Sequence, residues 1–113
     1  GGGELCTYLV NNHSLNELNL NNTSFGEDPE AIKKLIFLFQ NNKEIYIYQL
    51  KFNLIPEENF KLIVPELKEA THIYQFFMDE ERYPKDMFKL YMDAMKKRKK
   101  PNKKKKGAKK KKK

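Results

Sequence analysis

The sequence predicts an α/β chain: a solenoid in which short parallel strands alternate with helices, closed by a C-terminal helix and followed by a disordered basic tail. Three observations carry this. A strand-like apolar pattern recurs along the chain, the segments between its copies keep apolar residues at helical spacing in the same register, and the positive charge is concentrated in residues 96–113. Internal repeats of this length mark stacked architectures, where each unit buries the face of its neighbour, and roughly three units are the minimum for stability.

The strands come from the pattern L-x-x-L-x-L-x-x-N/T-x-L. Leu15, Leu18, Leu20, Thr23 and Phe25 occupy its positions once, and Ile45, Tyr48, Leu50, Asn53 and Ile55 occupy them again thirty residues later. A third copy begins at Ile73 with Phe76 and Met78, then decays at Glu81 and Tyr83. The intervening segments align as well: Leu5, Leu35 and Ile63 share a column, as do Leu9, Phe39 and Leu67, and Asn12, Asn42 and Ala70. Units therefore lie near 1–25, 26–55 and 56–83.

Each helix has its own signals. Asp28-Pro29-Glu30 ahead of Ile32, Leu35, Ile36 and Phe39 reads as an N-cap, a proline at the first helical position and an acid in the first turn. The segment Pro56 to Leu67 carries Pro65 inside it, which removes a hydrogen bond and predicts a short or kinked helix. Residues 84–97 place Met87, Phe88, Tyr91, Ala94 and Met95 at helical spacing, with Tyr91 and Met95 still in register with Ile63 and Leu67, and read as a capping helix ending on basic residues. A basic amphipathic helix for a membrane surface or a calmodulin-like partner is the rival reading of that segment. The chain opens inside a helix with no strand before it. Leu5, Leu9, Leu18 and Leu20 are thus expected to lie uncovered, which implies further upstream repeats or self-association.

These residues resemble the leucine-rich repeats of the ribonuclease-inhibitor type, over about residues 3 to 83. Thr23, the aromatic Tyr48 and Phe76 in a usually aliphatic column, and Glu81 where an Asn should close the turn depart from the family pattern. The alternative is a small α/β domain without repeat ancestry. The resemblance implies a parallel sheet on a concave side, a C-terminal fragment of a longer array, and a role in protein binding. Strand alternation then turns Glu17, Ile47 and Gln75, Asn19, Gln49 and Phe77, and Asn21, Lys51 and Asp79 outward, flanked by Asn16, Tyr46 and Tyr74. Tyr46, Ile47, Gln49, Lys51, Tyr74, Gln75 and Phe77 are the candidate protein-binding residues, since aromatics rimmed by polar groups commonly form the energetic centre of an interface. Exposed aromatics chosen for strand propensity alone are the competing explanation.

Enzymatic readings find little support. Cys6 is the one cysteine, which excludes an intrachain disulfide and a cysteine-built zinc site and suits a reducing, intracellular setting. It shares a helix with Leu5 and reads as a buried thiol. His13 and His72 fall at helix-to-strand turns without a second ligand at useful spacing. Glu57-Glu58 and Glu80-Glu81 read as solvated pairs, and no glycine loop follows a strand to cradle a phosphate. No catalytic residue, cofactor or metal is expected. The longest apolar run, Leu35 to Phe39, is far below the ~20 residues of a membrane span, and the glycine-rich start has no signal-peptide character.

The net charge of +8 divides into two parts. Residues 96–113 contain 14 Lys and Arg and no acid, so the remaining 95 residues are acidic overall at −6. A tail of that composition has nothing to bury and is expected to be disordered from 98 to 113. Lys96, Lys97, Arg98, Lys99, Lys100, Lys103, Lys104, Lys105 and Lys106 are the candidate polyanion-binding residues, for acidic protein tails such as those of tubulin or for nucleic acid. No aromatic is interleaved, so base stacking is not encoded. A purely solubilising extension is the simpler alternative. The sequence thus supports a non-enzymatic interaction scaffold, cytoplasmic or cytoskeletal, ciliary included, with a nuclear, nucleic-acid-associated protein as the alternative.

Overall fold

Apolar residues spaced by four and then by two alternate along the chain, and the structure turns that alternation into helices and strands. In the computed structural model, which describes residues 2–23 and 27–101, the elements are α1 (Gly2–Leu9), β1 (Glu17–Asn19), α2 (Pro29–Asn41), β2 (Ile47–Gln49), α3 (Glu57–Glu69), β3 (Gln75–Phe77), a short 3₁₀ turn (Glu80–Arg82) and α4 (Lys85–Met95). The three strands form one parallel sheet in the order β1-β2-β3. Leu18, Tyr48 and Phe76 lie opposite one another in its register, with Glu17, Ile47 and Gln75 on one side and Asn19, Gln49 and Phe77 on the other. These are the columns that the sequence spacing predicts. The chain is α/β.

The predicted start of α2 is met in detail. The Asp28 side chain accepts from the Glu30 backbone N–H at 3.0 Å, with Pro29 at the first turn where no N–H is needed. Ile32, Leu35, Leu38 and Phe39 then face inward and are fully buried. Tyr48 and Phe76, the aromatic departures, are accommodated because Phe39 meets both edge-on, with ring centroids at 6.0 and 5.8 Å.

Three expectations are corrected. First, Pro65 does not shorten its helix: α3 runs for thirteen residues, Glu57–Glu69, and continues beyond it. An interior proline costs about 3 kcal/mol. Phe60, Ile63, Val64 and Leu67 are all buried on this helix, and each contributes about 1.5–3 kcal/mol, so packing outweighs the lost bond. Second, the apolar columns of the first unit are not uncovered. Leu9, Leu18 and Leu20 are 3–6% exposed, and of the four only Leu5, at 39%, is open to solvent; their side chains enter the same core as Ile32, Leu35 and Leu50. Third, α4 ends at Met95, because Lys96 turns to extended backbone at ψ 140°, and Lys97 beyond it takes a left-handed φ of 62°. The basic residues expected in its last turn lie just beyond it.

Tyr83 is not a decayed position either. It is buried, stacks on Phe60 at 4.1 Å, and donates its hydroxyl to the Ile55 carbonyl at 2.7 Å. Phe88 and Tyr91 extend the same aromatic group from α4, and the Tyr91 hydroxyl donates to the Phe76 carbonyl. Of the third copy, only Glu81 has left the apolar pattern.

Candidate functional site

The outward face of the sheet begins with alternation: Leu18, Tyr48 and Phe76 point into the core, so their strand neighbours point away. Ile47 sits level with Gln75, and Gln49 with Phe77. Tyr46 and Tyr74 precede the two strands and are joined through backbone, Tyr74 N–H donating to the Tyr46 carbonyl at 2.8 Å. Tyr46, Ile47, Gln49, Tyr74 and Gln75 are half-buried, and Phe77 is 36% exposed. Lys51 is exposed and lies in the turn after β2 rather than on the strand, its backbone N–H held by the Asn21 Oδ1 at 2.8 Å. The structure therefore brings the seven predicted residues together on β2, β3 and their flanks.

Polar groups stitch the strands together on the β1 side of this face. Asn21 donates to the Gln49 Oε1 at 3.1 Å, and Gln49 donates in turn to a Glu17 carboxylate oxygen. Gln49 is thereby held in place by both of its side-chain functions. Towards β3 the face becomes more apolar, with Ile47 and Phe77 on diagonal positions, where cross-strand neighbours approach to about 7–8 Å.

The basic segment divides differently from expectation. Lys96, Lys97, Lys99 and Lys100 are exposed and form no ion pair among the described residues; Lys103, Lys104, Lys105 and Lys106 lie outside the described residues. Arg98 is a correction. Its Nη1 donates to the Ala70 and Ile73 carbonyls at 2.7 and 2.8 Å, its Nη2 to Leu67 and Lys68 at 2.7 and 3.5 Å, and its Nε to Ala94 at 3.1 Å. A guanidinium has five N–H groups in a fixed fork, and all five are directed at backbone carbonyls, so Arg98 anchors the chain after α4 and has no donor left for a polyanion. Arg98, which composition assigns to the tail, packs against the end of α3.

Arg98 belongs to a series that the column spacing foreshadows, since it follows Ala70 by the 28 residues that separate Ala70 from Asn42. Asn42, 3% exposed, donates to the Leu9 and Asn12 carbonyls, both at 2.8 Å, and accepts from the Glu44 and Ile45 backbones. Ala70 has no side chain to repeat this on α2, and His72 hydrogen-bonds the Asn42 backbone in its place. One side chain per unit thus caps the end of the helix before it. A second series runs along the other end of the sheet, where buried Asn53 donates to the Leu20 carbonyl at 2.6 Å and accepts from the Thr23 backbone at 3.0 Å. Thr23 and Asn53 are partners across units, which explains the threonine at that position.

No family model, curated protein or solved structure matches this chain. Among the described residues no group of three or more His, Cys, Asp or Glu is placed to hold a metal ion, and no helix is long and apolar enough to cross a membrane. Cys6 is fully buried on α1, and burial pushes its thiol up to about 11. A thiolate nucleophile is not available there at neutral pH.

His72 gives a testable consequence. Burial, then the charges of Lys43 and Arg98, push its pKa down to about 4 against the opposing hydrogen bond at Asn42, and its Nε2 has no partner. Because the folded value lies below the unfolded ~6.5, the unfolded chain binds the proton first. His72 therefore leaves stability intact above about pH 6.5 and lowers it progressively toward pH 4. Allowing for solvent screening at this half-buried site, the expected loss is about 1–2 kcal/mol. Thermal unfolding from pH 8 to 5 should show it in the native chain and not in His72→Gln; parallel profiles for the two would refute the assignment.

Proposed function

We propose that the chain is a leucine-rich repeat solenoid of the ribonuclease-inhibitor type that acts as a non-enzymatic scaffold, binding a protein partner through the outward, concave face of its sheet. The observation that carries the reading is the register: strand residues 30 and 28 positions apart pair in parallel, with Ile47 and Phe77 on the face the core does not use and half-buried Tyr46 and Tyr74 just before their strands. Aromatic and β-branched side chains beside hydrogen-bonded amides supply a rigid apolar centre and a polar rim, the arrangement that concentrates binding energy at protein interfaces.

The test is a quantitative capture experiment with the full chain and the Tyr74→Ala, Phe77→Ala double variant. Partners bound by the native chain should be lost at least tenfold in the variant, while unfolding free energy changes by no more than about 1 kcal/mol, as expected for residues that are not fully buried. A stability loss above about 3 kcal/mol would place both residues in the core instead.

A second reading is favoured by the four exposed, unpaired lysines after α4: a nuclear, nucleic-acid-associated protein that binds through its basic segment. Replacing Lys96, Lys97, Lys99 and Lys100 with alanine and removing 102–113 separates the two and leaves Arg98 in place. If RNA or DNA binding carries the function, this variant loses it together with its salt dependence; if the sheet face carries it, protein capture persists.

A further inference from the structure

The helix-lined side of the molecule holds a second surface, and the unit-by-unit comparison shows how it arises. Across α2 and α3, Gln40 donates to the Glu66 carboxylate at 2.8 Å and closes the space between the helices. One unit later the same columns hold Lys68 and Ala94, 28 residues on from Gln40 and Glu66. The column of Phe37 holds Pro65, whose side chain is smaller. The bridge is gone and a groove opens between α3 and α4, about 400 Å³ in volume. Phe60, Val64, Met87 and Ala94 form its apolar floor, and Leu90, 59% exposed, stands on its α4 edge.

Its charge is one-sided. Lys61 and Lys68 line the α3 edge, are exposed, and their ammonium groups have no ion pair or hydrogen-bond partner among the described residues. On the α4 edge Asp93 is already paired with Lys89 at 3.3 Å. Lys61 and Lys68 are seven residues apart on one helix, so they share an edge and stand about 10 Å apart along its axis at 1.5 Å per residue.

We propose that this groove receives an acidic amphipathic helix from a protein partner. The spacing of the two ammonium groups selects the helix. Carboxylates seven residues apart on a helix stand about 10 Å apart on one edge, whereas in an extended segment residues about 10 Å apart are three positions apart and point to opposite faces. The apolar floor takes the i, i+3, i+4, i+7 stripe of such a helix, and the lysine edge fixes which side its acids occupy. This surface is built from α3 and α4 and is independent of the sheet face.

The test is a selection of randomised helical peptides against the immobilised full chain. Enriched peptides should carry an apolar stripe with Asp or Glu two turns apart along one edge. Their affinity should fall at least tenfold against Lys61→Glu, Lys68→Glu, return when the peptide acids are exchanged for lysine, and fall against Ala94→Glu, which sets a carboxylate opposite Lys68 as Glu66 stands opposite Gln40. Several results would overturn the proposal. They are a selection that enriches no such peptide, peptides that are acidic without an apolar stripe and lose binding when 102–113 is removed, and peptides insensitive to the lysine reversals. Lysine-dependent binding of phosphatidylserine vesicles that displaces the peptides would overturn it too, assigning the groove to a lipid surface.

Discussion

Replacing Arg98 with alanine is expected to destabilise the chain by about 3 kcal/mol, with Tm falling by roughly 10–20 °C. The side chain donates to five carbonyls, four of them at the end of α3 and the turn that follows it, Leu67, Lys68, Ala70 and Ile73. Hydrogen bonds from a charged donor contribute about 1.5–3 kcal/mol each, but these share one guanidinium and are partly wet, so they do not add in full. Arg98→Lys should recover less than half, because an ammonium on a flexible stem cannot reproduce the fork. The competing assignment to polyanion binding predicts the opposite pair of results. If Arg98→Ala melts like the native chain and loses tenfold in affinity for RNA or heparin, Arg98 belongs with the lysines around it; equal polyanion affinity with a lowered Tm places it in the fold.

The contrast between Arg98 and its neighbours shows what the sequence does and does not carry. Composition assigns it to a run of like charges, KKRKK, in which one arginine has no distinguishing mark. Position does mark it, since it stands in the column of Asn12, Asn42 and Ala70, and a register argument carried one unit further would have reached it. The strands, the inward columns and the capped start of α2 were legible because spacing and cap chemistry are local properties. Continuation of α3 through Pro65 was not, because the balance between a lost hydrogen bond and four buried side chains is settled by partners distant in sequence. Nor was the closure of the first unit, where Leu9, Leu18 and Leu20 are covered from the unit that follows. The sheet face was legible as a set of residues, yet its stitching through Glu17, Gln49 and Asn21 depends on side-chain reach that no pattern encodes. The α3–α4 groove was invisible for a related reason: it is made by what is missing, a bridge that Gln40 and Glu66 form and that Lys68 and Ala94 cannot.

Asn42 should be the most demanding position of the capping series. Its amide donates twice and its carbonyl accepts twice, all inside a nearly closed environment. Asn42→Ala leaves the Leu9 and Asn12 carbonyls and the Glu44 and Ile45 N–H groups without these partners, and an unsatisfied buried group costs about 1–3 kcal/mol. A total near 3–4 kcal/mol is expected, from denaturant unfolding at pH 7. Asn42→Asp is the sharper probe. It keeps the acceptor that holds Glu44 and Ile45 but turns a lone pair, and at neutral pH a charge, toward two carbonyl oxygens. That environment raises the folded-state pKa of the new carboxyl, so the stability of Asn42→Asp should be restored as pH falls, when the protonated acid can donate once, and lost as pH rises through the folded value. The sign is opposite to that of His72, whose folded value is depressed and whose protonation weakens the fold. The two positions cap consecutive helix ends with an amide and an imidazole. Acid should therefore strengthen Asn42→Asp relative to the native chain while weakening the native chain relative to His72→Gln, and a shared sign for the two would show either that residue 42 does not face the Leu9 and Asn12 carbonyls or that burial and the charges of Lys43 and Arg98 do not hold His72 neutral.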